Sequence, residues 1–126
     1  MGRTFILVLA AALPLPGCLL LAGAAVGAGV VRVAGEDAAE VVIERDYATV
    51  FAASEEEMKA RGVLQSSNRE TGTLRGRIGG SDLQVSVLRE AETSVRARVT
   101  ARRDSGVSPD PSSARLLATG IVKRTR

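Results

Sequence analysis

The chain has 126 residues, a formal net charge of +3, one cysteine and no histidine. That length corresponds to about one domain, and a single cysteine excludes an internal disulfide. Without histidine, the commonest general base and the commonest metal ligand are missing, so the sequence predicts no enzyme, no metal site and no cofactor. Aromatic residues make up only 2% of the chain and the basic charge is spread out, a pattern that does not favour nucleic-acid binding.

An apolar run opens the chain and ends at the only cysteine. Residues 5–13 have the length of the hydrophobic region of a signal peptide. Pro14 and Pro16 then interrupt helical structure, as a peptidase that binds extended backbone requires. Gly17 places a small residue directly before Cys18.

The segment formed by Leu15, Pro16, Gly17 and Cys18 resembles the lipobox of bacterial lipoproteins. In a lipobox, a small residue precedes a cysteine that is lipidated and becomes the new N-terminus. The resemblance implies that Cys18 accepts a diacylglycerol thioether, which with a further acyl chain anchors a protein stably to a membrane. Pro16 departs from the pattern, since the residue two before the cysteine is normally small or β-branched.

This interpretation divides the chain into three parts. Residues 1–17 form a lipoprotein signal peptide, residues 18–38 a lipidated cysteine with a Gly/Ala-rich apolar tether, and residues 39–126 a small domain. The alternative is an uncleaved membrane span, because residues 5–31 carry no charge and are long enough to cross a hydrocarbon core of about 30 Å. In that case the Gly/Ala-rich residues 19–31 could pack closely against a partner helix.

A strand and a helix open the domain. Residues 39–44 are rich in β-branched side chains and predict a strand that points Val41 and Ile43 inward. Asp46 stands at an N-cap position, and apolar residues at helical spacing predict a helix over about 46–61. The apolar stripe consists of Tyr47, Val50, Phe51, Ser54 and Met58.

Four strands and a second helix follow. The last strand alternates most cleanly, which is typical of an antiparallel meander with one buried and one solvated face. After a loop over residues 104–111, Ser112 or Ser113 can cap a final helix. The strands are predicted over residues 63–68, 73–78, 83–87 and 95–102, and the final helix has an apolar stripe of Ala114, Leu117, Ala118, Ile121 and Val122.

The element order β-α-β-β-β-β-α predicts an α+β two-layer sandwich, in which an antiparallel sheet of about five strands carries both helices on one face. The other face is then solvated. We call it the arginine face after the five arginines that point to it: Arg75, Arg77, Arg96, Arg98 and Arg102.

The arginine face is the candidate binding surface. Guanidinium groups pair bidentately with phosphate or carboxylate, so the partner could be a lipid headgroup, another envelope protein or an anionic envelope polymer. The alternative is a solvated surface whose charges discourage edge-to-edge aggregation. Glu90, in the same outward register, partly neutralises the face.

Other polar residues predict structural roles. Glu55, Glu56 and Glu57 are consecutive, so they fan out around a helix axis and predict a solvated helix face rather than a catalytic carboxylate pair. Asp104 and Asp110 lie in the final loop without the spacing of a calcium loop. No histidine is present to activate a serine nucleophile.

In the order of its elements the chain resembles a family of small bacterial lipoproteins of unknown function. The matching positions are Gly17 and Cys18, the Gly/Ala-rich residues 22–29, Asp46, Tyr47, Phe51, Gly62 and the meander over 73–102. A similar layout occurs in accessory lipoproteins of the outer-membrane protein assembly machinery, which act as binding scaffolds. The resemblance implies architecture and location.

The sequence therefore predicts a lipid-anchored protein of the bacterial cell envelope that faces the periplasm. Leu19, rather than Asp, follows the cysteine, which in lipoprotein sorting implies the outer membrane. The domain is expected to bind or scaffold rather than catalyse. The alternative is a single-span, membrane-anchored accessory subunit of an envelope complex.

Overall fold

The computed structural model describes residues 29–126. Within that range seven strands and two helices follow one another along the chain. They are β1 (Arg32–Val33), β2 (Ala38–Ile43), α1 (Tyr47–Arg61), β3 (Val63–Asn68), β4 (Thr73–Ile78), β5 (Ser81–Ala91), β6 (Ser94–Arg103), β7 (Ser108–Pro109) and α2 (Pro111–Arg124). The predicted signal peptide, Cys18 and the first part of the tether lie outside the described residues.

All strands belong to one antiparallel sheet with the order β1-β2-β6-β5-β4-β3, and β7 pairs with β6. The α+β class and the antiparallel sheet are confirmed. The predicted number of about five strands is wrong, since the described residues form seven. The two additional strands, β1 and β7, have two residues each, too few to show a periodic pattern in the sequence.

A single hydrophobic core joins the helices to one side of the sheet. Val95, Ala97, Val99 and Ala101 of β6 are at most 2% exposed, and they share this core with the buried residues of α1 and α2. The apolar stripe of α2 is buried as predicted. The core is built largely from valine, alanine and leucine, and Phe51 is the one aromatic residue buried among the described residues.

Helix α1 has the ends that the sequence predicts. The Asp46 carboxylate accepts a hydrogen bond from the Thr49 backbone N–H at 3.3 Å and another from the Thr49 hydroxyl at 2.6 Å. These hydrogen bonds, led by that of the Thr49 hydroxyl, lower the pKa of Asp46. At the other end, the Gly62 N–H donates to the Met58 carbonyl at 2.9 Å.

Helix α2 begins differently from the prediction, because its N-cap is Asp110 rather than Ser112 or Ser113. The buried Asp110 carboxylate accepts hydrogen bonds from the Ser113 hydroxyl at 2.6 Å, from Arg103 at 3.0 Å and from the Ser81 hydroxyl. The hydrogen bond from Ser113 contributes most to lowering the pKa of Asp110. One carboxylate thus joins the start of β5, the end of β6 and the start of α2.

The three consecutive glutamates of α1 do not share one environment. Glu56 is exposed and Glu55 half-buried, but Glu57 is only 6% exposed, so the prediction of a solvated face is wrong for Glu57. Its carboxylate accepts hydrogen bonds from Arg124 at 2.6 Å and from Arg61. Burial by itself raises the pKa of Glu57, but the hydrogen bonds and charges of Arg124 and Arg61 together lower it.

Gly120 leaves room for the Glu57 side chain between the two helices. A Cβ atom added at Gly120 would lie 2.8 Å from Glu57 Cγ and closer still to the carboxylate. Such distances are well below ordinary carbon–carbon contact. A glycine inside a helix costs about 1 kcal/mol relative to alanine, and here it permits the ion pair that links α1 to α2.

We predict that Gly120→Ala destabilises the protein by about 1–2 kcal/mol, because the overpacked Glu57 must leave its position and its arginines. In a Glu57→Ala background the same change should be neutral or stabilising, since the methyl group then meets no carboxylate and alanine favours the helix. Urea denaturation of the four proteins measures both effects.

Gly80→Ala is the matched control, because nothing lies within 4 Å of its added Cβ. It should change the free energy of unfolding by less than about 0.5 kcal/mol. If Gly120→Ala stabilised the protein in both backgrounds, the close contact between Gly120 and Glu57 would be refuted.

Candidate functional site

The arginine face lies on the side of the sheet away from the helices. Along β5 and β6 the residues that alternate with the core are half-buried or exposed. The pairing of the strands places Arg98 opposite Glu40 of β2 and Ser86 of β5, and places Arg102 opposite Asp82 of β5. The five predicted arginines are thus brought onto one surface, together with carboxylates from neighbouring strands.

Glu40 is the centre of the largest ion-pair network on this face. Its side chain is 15% exposed and lies 2.9 Å from Arg96 and 2.7 Å from Arg98. Arg96 also donates two hydrogen bonds of 2.8 Å to Glu90, which confirms that Glu90 neutralises part of the face. The hydrogen bond from Arg98 is the main cause that lowers the pKa of Glu40, and Arg96 lowers the pKa of Glu90 in the same way.

Two further pairs occupy the other end of the face. Arg102 donates from Nε to Asp37 at 2.8 Å and from Nη1 to the Gly106 carbonyl at 3.3 Å. Arg77 lies 3.3 Å from Asp82, with both side chains about half exposed. Four of the five predicted arginines therefore have a carboxylate partner within residues 29–126.

Arg75 is the exception. No carboxylate of residues 29–126 lies within 4.0 Å of its guanidinium. The strand register explains why, since Arg75 faces Ser66 on one side and Gln84 on the other, and Gln84 in turn faces Thr100. This row across the sheet contains no acidic residue.

A depression of about 370 Å³ opens on the arginine face around this row. Arg75, Gln65, Gln84 and Thr100 line it, and Asp82, Arg102 and Gly106 border the same space. Gln84 and Thr100 were not among the predicted site residues, although both share the outward register of the arginines. Gln65 could not be placed by alternation, because β3 is irregular between Leu64 and Ser66.

The chemistry of the depression is that of an anion site. It offers guanidinium and amide N–H donors and a hydroxyl, and its one carboxylate is already paired with Arg77. Across residues 29–126, no three side chains of the metal-ligating types come together. The arrangement can bind and orient a negatively charged group.

Two other depressions have less to offer a ligand. One of about 510 Å³ lies between the helices and is lined by Thr49, Ala52, Ala53, Glu56 and Arg124, of which Arg124 already donates to Glu57. The other, of about 420 Å³, adjoins Asp110 and Ser81. In the second case the polar groups already bond to one another, because Asp110 accepts from Ser81, Ser113 and Arg103.

No helix of the described part of the chain has both the length and the apolar character needed to cross a membrane. Cys18, the predicted lipidation site, lies outside that part, so its role stays a prediction.

Comparisons with known proteins identify no family for this chain. No model of a known protein family matches it, and no curated protein is significantly similar to it in sequence. The resemblance to small bacterial lipoproteins therefore rests on the residues quoted above and stays a prediction.

We predict that Glu40→Gln costs about 1 kcal/mol at neutral pH, since it removes the charge between two partly exposed arginines. The free energy of unfolding of the variant should also fall less steeply as the pH is lowered into the acidic range. The folded-state pKa of Glu40 is lowered, so its contribution is complete above the ordinary pKa of about 4.3 and is lost as the pH falls below it.

Urea denaturation at several pH values between about 7 and 3 measures this difference. Glu92→Gln is the control, because Glu92 is exposed and takes part in none of the ion pairs described above; its stability should follow that of the unmodified protein. A Glu40→Gln protein that lost stability on acidification as steeply as the control would show that Glu40 is not held by its arginines.

Proposed function

We propose that this chain is a lipid-anchored envelope protein that faces the periplasm and whose α+β domain binds a partner through the arginine face. The anchor is Cys18, and outer-membrane location follows from Leu19 after it. The observation that supports the binding role is that one side of the sheet is packed against helices, whereas no element of residues 29–126 covers the other side, which contains a polar depression.

The point at which the tether enters the domain supports this arrangement. Gly29 lies beside Val41, whose side chain belongs to the core, and Val31 also packs against that core. Residues 29–31 therefore approach β2 from the helical side of the two-layer sandwich. Residues 29–31 themselves thus leave the arginine face uncovered.

The ion pairs on the arginine face also suit a binding role. A long arginine side chain loses about 2 kcal/mol of rotamer entropy when it is fixed, and pairing with Glu40, Glu90 or Asp37 fixes several of them beforehand. Such preorganisation lowers the cost of binding. The paired side chains then form a rigid border around the groups that bind the partner.

The membrane anchor can be tested by fatty-acid incorporation. Cells that express the full chain are labelled with an alkyne-bearing fatty acid, and the N-terminal peptide is mapped by mass spectrometry after extraction from membranes. We expect an N-terminus at Cys18 that carries acyl mass, and no label in Cys18→Ala, because the thioether needs the thiol. Gly17→Ala is the matched control and should be labelled, since a small residue still precedes the cysteine.

An unlabelled chain that keeps residues 1–17 would contradict the lipoprotein proposal. That outcome would favour the single-span accessory subunit instead, since residues 5–31 are uncharged and long enough to span a bilayer.

A further inference from the structure

We propose that the depression around Arg75 is a subsite for one carboxylate group, of the kind at the C-terminus of a peptide. The inference deepens the binding role proposed above by naming the ligand chemistry, and it does not depend on the anchor at Cys18. It narrows the anionic binding surface from five arginines to one.

Arg75 is selected because the other arginines of the face are occupied. Arg96, Arg98 and Arg102 donate hydrogen bonds of 2.7–2.9 Å to carboxylates, and Arg77 lies 3.3 Å from Asp82. A ligand carboxylate would have to compete with these partners. At Arg75 it would meet an exposed guanidinium with no acidic partner in residues 29–126, so a bidentate pair can form without breaking another.

The net charge of the depression matches a ligand that has a single negative charge. The depression and its immediate ion-pair partners contain three arginines and two aspartates, which leaves one positive charge. The arginines are Arg75, Arg77 and Arg102, and the aspartates are Asp37 and Asp82. One carboxylate balances that charge, whereas a phosphate dianion would exceed it.

The neutral polar side chains favour an amide beside the carboxylate. Gln84 and Thr100 are half-buried, and neither side chain hydrogen-bonds to another group of the described residues. Half-buried donors and acceptors that lack partners gain most from a ligand that supplies them. A peptide end offers this combination, since an amide N–H and C=O directly precede its carboxylate.

The size of the site limits the ligand to a small group. A volume of about 370 Å³ lies near the lower end of the range of roughly 300–1,000 Å³ that is usual for small-molecule pockets. Gly106 at its wall has no side chain, which lets a ligand approach the backbone closely there. The terminal one or two residues of a peptide match these dimensions.

An NMR titration of the ¹⁵N-labelled full chain in detergent tests the proposal. The probe is acetyl-Ala-Ala with a free carboxylate, and its C-terminal amide is the uncharged control. We expect the acid to shift the amide signals of Arg75, Gln84 and Thr100 with a Kd on the order of 1 mM. The amide form should bind at least about tenfold more weakly, since it cannot make the charge-assisted pair.

Two variants separate Arg75 from general charge. Arg75→Gln should weaken binding of the acid at least about tenfold, whereas Arg98→Gln, on the same face but outside the depression, should change it by less than about twofold because Arg98 is already paired with Glu40. Arg75 is exposed and Arg98 is half-buried at the surface, so both variants should keep the dispersed spectrum of a folded protein.

The proposal would be overturned by equal shifts with acid and amide, by equal losses in the two variants, or by no shifts at about 10 mM peptide. Equal binding of inorganic phosphate would also overturn it, by showing a site for anions in general. None of these outcomes bears on acylation of Cys18, so the subsite and the anchor can fail separately.

Discussion

The two-sided pattern of β6 is the constraint on which the rest of the domain depends. Its valines and alanines are buried against both helices, while Arg96, Arg98 and Arg102 point to the other side of the sheet. Because strand side chains alternate with a period of two, a shift of one residue in pairing would bury charge and expose the core. The neighbours of β6, which are β2, β5 and β7, inherit this register. The division into a helical side and an arginine face follows from it.

Charge on this protein is organised by pairing rather than by accumulation. Although the chain is basic and rich in arginine, most arginines of the arginine face lie beside carboxylates that the strand register brings next to them. Glu40, for example, lies between Arg96 and Arg98. The helical side follows the same rule, since Glu57 lies between Arg61 and Arg124. Individually the exposed pairs of the arginine face contribute little to stability. Collectively they neutralise much of the face, so a count of basic residues overstates the positive charge that a partner meets. Arg75 is the one arginine of the face without a carboxylate partner in residues 29–126.

The sequence predicted those parts of the fold that have a long repeating pattern. Helix α1 with its cap at Asp46 and the alternating strands β4 to β6 follow from periodicity and capping chemistry, and all are present. Strands β1 and β7 are too short to have a pattern. The cap at Asp110 was missed although Pro111 behind it marks the first turn of a helix. The burial of Glu57 depends on Arg124, 67 residues away, and no local pattern reports a contact at that distance. The same holds for the depression, which needs the four strands β3 to β6 side by side.

Four arginines of the arginine face are occupied by the protein's own carboxylates, whereas Arg75 has no carboxylate partner within residues 29–126. Hydrogen exchange of the arginine Nε–H groups, followed by NMR on the folded chain, tests this directly. The Nε–H groups of Arg96 and Arg102 donate to Glu90 and Asp37 at 2.8 Å, so their exchange should be slowed. The Nε–H of Arg75 should exchange at the rate of a free arginine side chain. Equal exchange rates at Arg75, Arg96 and Arg102 would show that Arg75 does not differ from the other two arginines in its pairing.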